Sequence, residues 1–275
     1  MKNIPDARSF CAVAFDLDDT LLRDDLSISP ETLFTLRKLA SYGMKVIPAS
    51  GRSKMSIKPF VDRIAVSSVY ISCNGAELWD SQTHNLLHSE KFSPELGREI
   101  ARFGKAWNCY AQTYTESCFY YNEHSVWAER YASASLLSGV YVGDLEAFIQ
   151  EPRNKILMMA DESQIASMLQ EARRVFQGRA SVTCSKPYFL EFNPLQATKG
   201  IALEAACRWL GIQSSQVISF GDGLNDLPML ETSGWSVAME NGRDELKQHC
   251  DDCCLSNQDD GVSRYLREFF RGVFF

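Results

Sequence analysis

Residues 14–22 read "AFDLDDTLL" and set a problem of charge. The apolar run from Cys11 to Phe15 ends in Asp16, Asp18 and Asp19, and the chain turns apolar again at Leu21 and Leu22. A buried strand that ends in carboxylates needs a partner for them, because a charge taken out of water is costly until it is paired.

Three other apolar runs stop as abruptly: "MKVIPA" at 44–49, "VYIS" at 69–72 and "QVISF" at 216–220. Each predicts a buried strand of parallel type. Helical patterns lie between them. Residues 30–42 place Leu33, Leu36, Leu39 and Ala40 on one face and close at Gly43. Residues 198–210 do the same with Ile201, Ala205 and Leu210, and Gly211 follows. A glycine just past the last periodic residue is a helix stop. This alternation predicts an α/β domain with a mostly parallel sheet.

The middle of the chain has another rhythm. A helix is expected over 94–107, then strands "CYAQTYT" and "CFYYN" flanking a turn at Glu116 and Ser117. After them come a strand "KILMMA", a helix over 163–176 and the strands "ASVTCSK" and "YFLEFN". Consecutive strands with short connections predict an antiparallel α+β module inserted into the core. Tyr110, Tyr114, Phe119, Tyr120 and Tyr121 are expected as sheet-face residues of that module, since aromatics favour strands.

A chain of 275 residues suits a core with an inserted smaller domain. With 45% hydrophobic and 23% charged residues it has the composition of an ordinary globular protein, and its net charge of −7 argues against nucleic acid as the main partner. Nine cysteines without a regular framework fit a reducing compartment. Cys250, Cys253 and Cys254 lack the second pair that a tetrahedral zinc site requires. No signal-type apolar region opens the sequence and no apolar run reaches bilayer length, so the expectation is a cytoplasmic protein without a membrane partner. Nothing in the sequence speaks to oligomeric state.

In an open parallel sheet, ligands bind beyond the carboxyl ends of the strands. Asp16, Ser50 and Asp222 all follow such ends. Asp222 and Asp226 in "GDGLND" add acid to the same place, and Gly221 and Gly223 allow the tight turn. A hard divalent cation such as Mg²⁺ relieves the crowding of carboxylates, since it takes oxygen ligands and a few waters.

The set "DLDDT" at 16–20, "SGR" at 50–52, "TKG" around Lys199 and "GDGLND" at 221–226 resembles the four motifs of the haloacid dehalogenase superfamily, in the family's order. The interval from Ser50 to Lys199 is far longer than the two that flank it, which puts the insert between motifs two and three. With "ISCNGAELWD", "SVAMENG" and "DDGV", the whole chain is similar to the Cof-type phosphatases with a type C2 cap. One departure stands at "SVAMENGRDELK", where Glu240 and Gly242 replace the usual Gly and Ala.

The resemblance implies a Rossmann-like core in residues 1–82 and 190–275, an α/β cap in 83–189, and Mg²⁺-dependent hydrolysis of small phosphate monoesters. It implies Asp16 as nucleophile and Asp18 as general acid and base. Ser50, Gly51, Lys199 and Asn225 would hold the phosphoryl oxygens. Asp16, the Asp18 carbonyl and Asp222 would hold the metal, with Asp226 and Thr20 in support. Asp18 favours phosphatase or phosphomutase chemistry over dehalogenation. The alternatives are a sugar phosphomutase and a catalytically idle sensor of phosphorylated ligands. Read singly, Lys199 is a solvated lysine in a first helical turn, and Asn225 and Asp226 are helix caps. The four histidines match no metal spacing and receive no role.

Overall fold

Short apolar runs bounded by turn residues become strands, and the amphipathic stretches between them become helices. The computed structural model describes residues 5–115, 118–135 and 137–275. The turn expected at Glu116 and Ser117 lies outside the described residues. In chain order come β1 (Ala12–Asp16), α1 (Pro30–Ser41), β2 (Lys45–Ala49), α2 (Lys54–Ile64), β3 (Val69–Ser72), β4 (Glu77–Asp80) and β5 (Leu86–Ser89). Next are α3 (Pro94–Ala106), β6 (Tyr110–Tyr114), β7 (Phe119–Tyr121), α4 (Val126–Ser135), β8 (Gly139–Tyr141), α5 (Leu145–Phe148), β9 (Ile156–Met159), α6 (Glu162–Val175), β10 (Ala180–Thr183) and β11 (Phe189–Pro194). The chain ends with α7 (Lys199–Leu210), β12 (Val217–Gly221), α8 (Leu227–Thr232), β13 (Trp235–Met239), α9 (Asp244–Lys247), β14 (Asp252–Cys254) and α10 (Gly261–Phe269).

The chain divides into two compact units. One comprises the residues up to Ser50 with Pro59–His88 and Thr198–Phe275, and the other Gly51–Lys58 with Ser89–Ala197. In the first unit the sheet runs β14-β13-β12-β1-β2-β3-β4-β5. From β14 to β3 every pairing is parallel, and β4 turns back antiparallel on β3. All five residues of β1 are buried, so the sheet is covered on both faces. Ala12 and Ala14 share one cluster with Ile47, Ile71 and α7.

The buried face of α7 differs from the expected one. Ala202, Leu203, Ala206 and Cys207 are buried, whereas Ile201, Ala205 and Leu210 stand half-buried on its flank. Close approach decides this. A Cβ on Gly200 would come within 2.3 Å of the Pro228 carbonyl oxygen, so α7 lies tight against α8 on the buried side that carries Gly200, Leu203 and Cys207. On α1, Thr32 and Thr35 join Leu36 and Leu39 on the buried face, because the Thr35 hydroxyl meets that of Ser263 on α10 at 2.8 Å.

The second unit carries a six-stranded sheet in the order β10-β11-β9-β6-β7-β8. Its pairings are antiparallel except β7 with β8, which are parallel because α4 crosses over between them. Alternate side chains of β9 define its two faces. Ile156 and Met158 pack with Ile100 of α3 and Ile165 and Met168 of α6. Leu157 and Met159 pack with Tyr110, Tyr114, Phe119 and Ala128. These three aromatics are therefore ordinary sheet-face residues, while Tyr120 points the other way and stacks on Phe148 at 4.6 Å between ring centres. The nine cysteines are free thiols. Among the described residues, no helix is long and apolar enough to cross a membrane.

Candidate active site

Strand register brings three distant segments together. Asp16 pairs with Ala49, so Ser50 is the next residue beyond it on β2. Phe15 pairs with Phe220, which sets Gly221 beside Asp16 and Asp222 one step further out. After Asp16 the backbone makes a wide turn, closed by the Leu22 amide donating to the Leu17 carbonyl at 2.8 Å. Asp19 takes a positive φ of 59° within it, and Asp18 is half-buried at its start.

The turn after β12 is built around Asp226. Its Oδ2 accepts from the amides of Asp222 at 3.0 Å and Gly223 at 2.9 Å. A Cβ on Gly221 would meet the Asp226 Cβ at 2.5 Å, so the turn closes only over glycine.

Lys199 is the first residue of α7, where a positive charge opposes the helix dipole. It is fully buried, contrary to the solvated reading of its position. Its Nζ donates to Asp16 Oδ1 at 2.6 Å and to Asp226 Oδ1 at 2.5 Å. Burial alone would lower its pKa, but the two carboxylates outweigh burial and hold it charged.

One ammonium does not balance the acids around it. Burial pushes Asp16 well above the ordinary aspartate range despite Lys199, and the charges of Asp226, Asp222 and Asp18 add to the rise. Asp222 is raised to about 7, first by burial and then by Asp226, against the hydrogen bond from the Thr20 hydroxyl at 2.8 Å. Carboxylate oxygens of Asp16, Asp222 and Asp226 come within 4.8 Å of one another. Hard oxygen donors in negative excess are the donor set of a divalent cation, so the residues fit one. Both oxygens of Asp226 are already engaged, by Lys199 and by two amides, which makes Asp226 a brace for the other groups.

The remaining expected residues are placed by backbone contacts. Ser50 is fully buried; its amide donates to the Ile71 carbonyl at 3.0 Å and its carbonyl accepts from the Asn74 amide at 3.1 Å. The Asn225 side-chain amide donates to Asn74 Oδ1 at 3.2 Å. Gly51 belongs to the second unit, where its carbonyl accepts from Lys155 Nζ at 2.9 Å.

Sequence reasoning assigned no role to Asn241 and Asn257. Asn241 donates to the Asp19 carbonyl at 2.7 Å, and Asn257 donates to that of Leu22 at 2.9 Å, so together they hold the turn that carries Asp18. The departing "ENG" loop still packs on Asp222, whose carbonyl accepts from the Arg243 amide at 3.0 Å. For Asn241 the signal available in the sequence was the neighbouring Gly242, a pair that tolerates tight turns; Asn257, between Ser256 and Gln258, carried no such signal.

Comparison with known proteins agrees with this geometry. Residues 13–266 match a family described as haloacid dehalogenase-like hydrolase. The chain is 28% identical over 268 residues to a 5-amino-6-(5-phospho-D-ribitylamino)uracil phosphatase of Bacillus subtilis, covering 94% of this chain and 97% of that protein. It is 26% identical over 278 residues to an HMP-PP phosphatase of Serratia proteamaculans, covering 95% and 96%. Among solved structures, a haloacid dehalogenase-like hydrolase from Bacteroides thetaiotaomicron superposes with a TM-score of 0.86 at 25% identity, covering 95% of this chain and 100% of that one.

Proposed function

The chain belongs to the haloacid dehalogenase-like hydrolases and is a phosphoric monoester hydrolase; from that premise we propose that it cleaves small phosphorylated metabolites through an aspartyl-phosphate on Asp16. Sugar phosphates and phosphorylated cofactors are the substrate class. The observation that carries the reading is the pair of buried contacts from Lys199 to Asp16 and Asp226 at the carboxyl end of β1.

In this reading an Asp16 oxygen attacks phosphorus, and the bond from phosphorus to the ester oxygen breaks. Asp18, two residues on and less buried, gives its proton to the departing alcohol. Its carboxylate then takes a proton from the water that attacks the acyl phosphate, restoring Asp16 and releasing inorganic phosphate. Lys199 offsets the charge spread over the phosphoryl oxygens, and Asp226 keeps its ammonium in place. Ser50, the Gly51 amide and Asn225 supply neutral donors. Asp16, Asp222 and the Asp18 carbonyl would hold Mg²⁺, whose charge lets a carboxylate approach an anionic ester. Thr20 fixes the Asp222 carboxylate for that task.

The inserted segment carries none of these groups, so we assign it the choice of leaving group. The test of the reaction is inorganic phosphate release from a panel of phosphate monoesters with Mg²⁺. The panel spans sugar phosphates, pyridoxal phosphate, flavin mononucleotide and the substrates named for the two relatives. Release from at least one of them with steady turnover is expected. No release from any member, or transfer of the phosphoryl group to a second sugar hydroxyl, overturns the reading.

A further inference from the structure

β3 ends at the same edge of the sheet as β1 and β2, and the three residues that follow Ser72 take an uncommon path. Cys73, Asn74 and Gly75 have φ of 52°, 56° and 99° in succession. Asparagine and glycine tolerate this region, but a run of three is conformationally costly. The turn is held against the start of α7. A Cβ on Gly75 would lie 2.2 Å from the Thr198 carbonyl oxygen, one residue before Lys199.

This path sets Asn74 between two groups of the site. Its backbone amide donates to the Ser50 carbonyl at 3.1 Å, and its Oδ1 accepts from the Asn225 side chain at 3.2 Å. The residue is 4% exposed, and its Nδ2 is buried with no hydrogen-bond partner among the described residues. A buried amide donor left unmade costs free energy, and together with the strained turn it needs a compensating contact. Asn225 and Ser50 are the site groups that Asn74 touches through its other polar atoms, so an oxygen acceptor bound beside them would supply that contact.

We propose that Asn74 is a further phosphoryl-binding residue, its Nδ2 donating to an oxygen of the bound phosphoryl group beside Asn225. The inference rests on the phosphatase reading. It adds a neutral donor on the side of the group approached by β3, complementary to the charged Lys199.

The test is a double-mutant cycle with inorganic phosphate as competitive inhibitor of ester hydrolysis in the Mg²⁺-loaded enzyme. Asn74→Gly suits the positive φ and removes the donor; Asn225→Ala removes its neighbour. Asn74→Gly is expected to weaken phosphate inhibition about tenfold and, because the two side chains are hydrogen-bonded to each other, to keep a clear part of that loss in the Asn225→Ala background. A loss that vanishes in that background means Asn74 acts only through Asn225 and overturns the proposal. If Asn74→Gly lowers the phosphate-free melting temperature, Asn74→Asp replaces it, since it keeps the turn preference and the acceptor for Asn225 while losing the donor. Unchanged phosphate inhibition in Asn74→Asp overturns the proposal as well. Wild-type enzyme that neither hydrolyses an ester nor binds phosphate defeats the phosphatase reading itself, whereas active wild type with unaffected variants defeats only Asn74.

Discussion

The proposed reaction asks Asp16 to be a nucleophile in a place that disfavours its charge, and the residues around it answer that conflict in different ways. Asp16→Asn removes the attacking oxygen's charge while keeping its shape, so phosphate release should fall below detection with an unchanged circular dichroism spectrum. Full turnover in the purified variant would refute the assignment. Asp18→Asn keeps nucleophile and metal carbonyl but removes the proton donor, and kcat should drop about 10²- to 10⁴-fold. The loss should be smaller for esters with acidic leaving groups, and an equal loss for all esters would argue against a general acid. Asp16 and Asp222 also tie stability to pH. Both are raised, mainly by burial, Asp222 to about 7, whereas an unfolded aspartate titrates near about 3.9. The folded state therefore binds more protons in that window, and the metal-free protein loses stability as pH rises from about 4 through about 7. A divalent cation takes the place of those protons. The gain in melting temperature on adding Mg²⁺ should accordingly increase between about pH 5 and about pH 8, and Asp222→Asn should flatten it. A gain independent of pH in the wild type would contradict the cluster as the binding site. Lys199 shows what one residue's sequence context hides: alone it reads as a surface lysine at a helix start, and only its two distant acids explain its burial.

At the scale of elements, the runs that end in polar residues were readable because a parallel strand buried on both faces has a plain composition, as β1, β2, β3 and β12 do. The inward face of α7 was not, since the approach of Gly200 to Pro228 belongs to no periodicity. Nor was the parallel pairing of β7 and β8, which depends on where α4 returns the chain. The second unit adds a feature of its own, a buried ion pair between Lys155 of the segment before β9 and Glu191 of β11. Lys155 and Glu191 are 4% and 2% exposed, so removing the ammonium leaves a carboxylate in the interior. Lys155→Met should cost about 3–5 kcal/mol in denaturant unfolding, and adding Glu191→Gln should restore much of it. If the double variant is no more stable than the single one, the pair is not what stabilises this sheet.

For the whole molecule, the proposed reaction is written with residues outside the insert, and the insert's own sheet and clusters make a second folded body. The fold class was legible because short apolar runs alternate with amphipathic helices around four ordered motifs, whereas the side chains that would meet a substrate's alcohol portion were not, because aromatics on a sheet face look alike whether they pack or bind. Exchange of residues 89–197 for the corresponding segment of a relative with another preference should carry the ranking of substrates with it, measured as kcat/KM across the ester panel. A ranking that stays with the recipient's core would place selectivity elsewhere. The pairing of β1 with β12 has one more consequence, for the order in which the chain is made. Asp16 and Lys199 are 183 positions apart, and Thr20 and Asp222 are 202 apart. During synthesis the strand that carries Asp16 emerges early and waits, while the insert, whose pairings lie within itself, has all it needs to fold first. A ribosome-bound chain that stops before β12 lacks Asp222 and Asp226, so on the proposed assignment the reactive centre is completed only once β12 and the turn after it have been made.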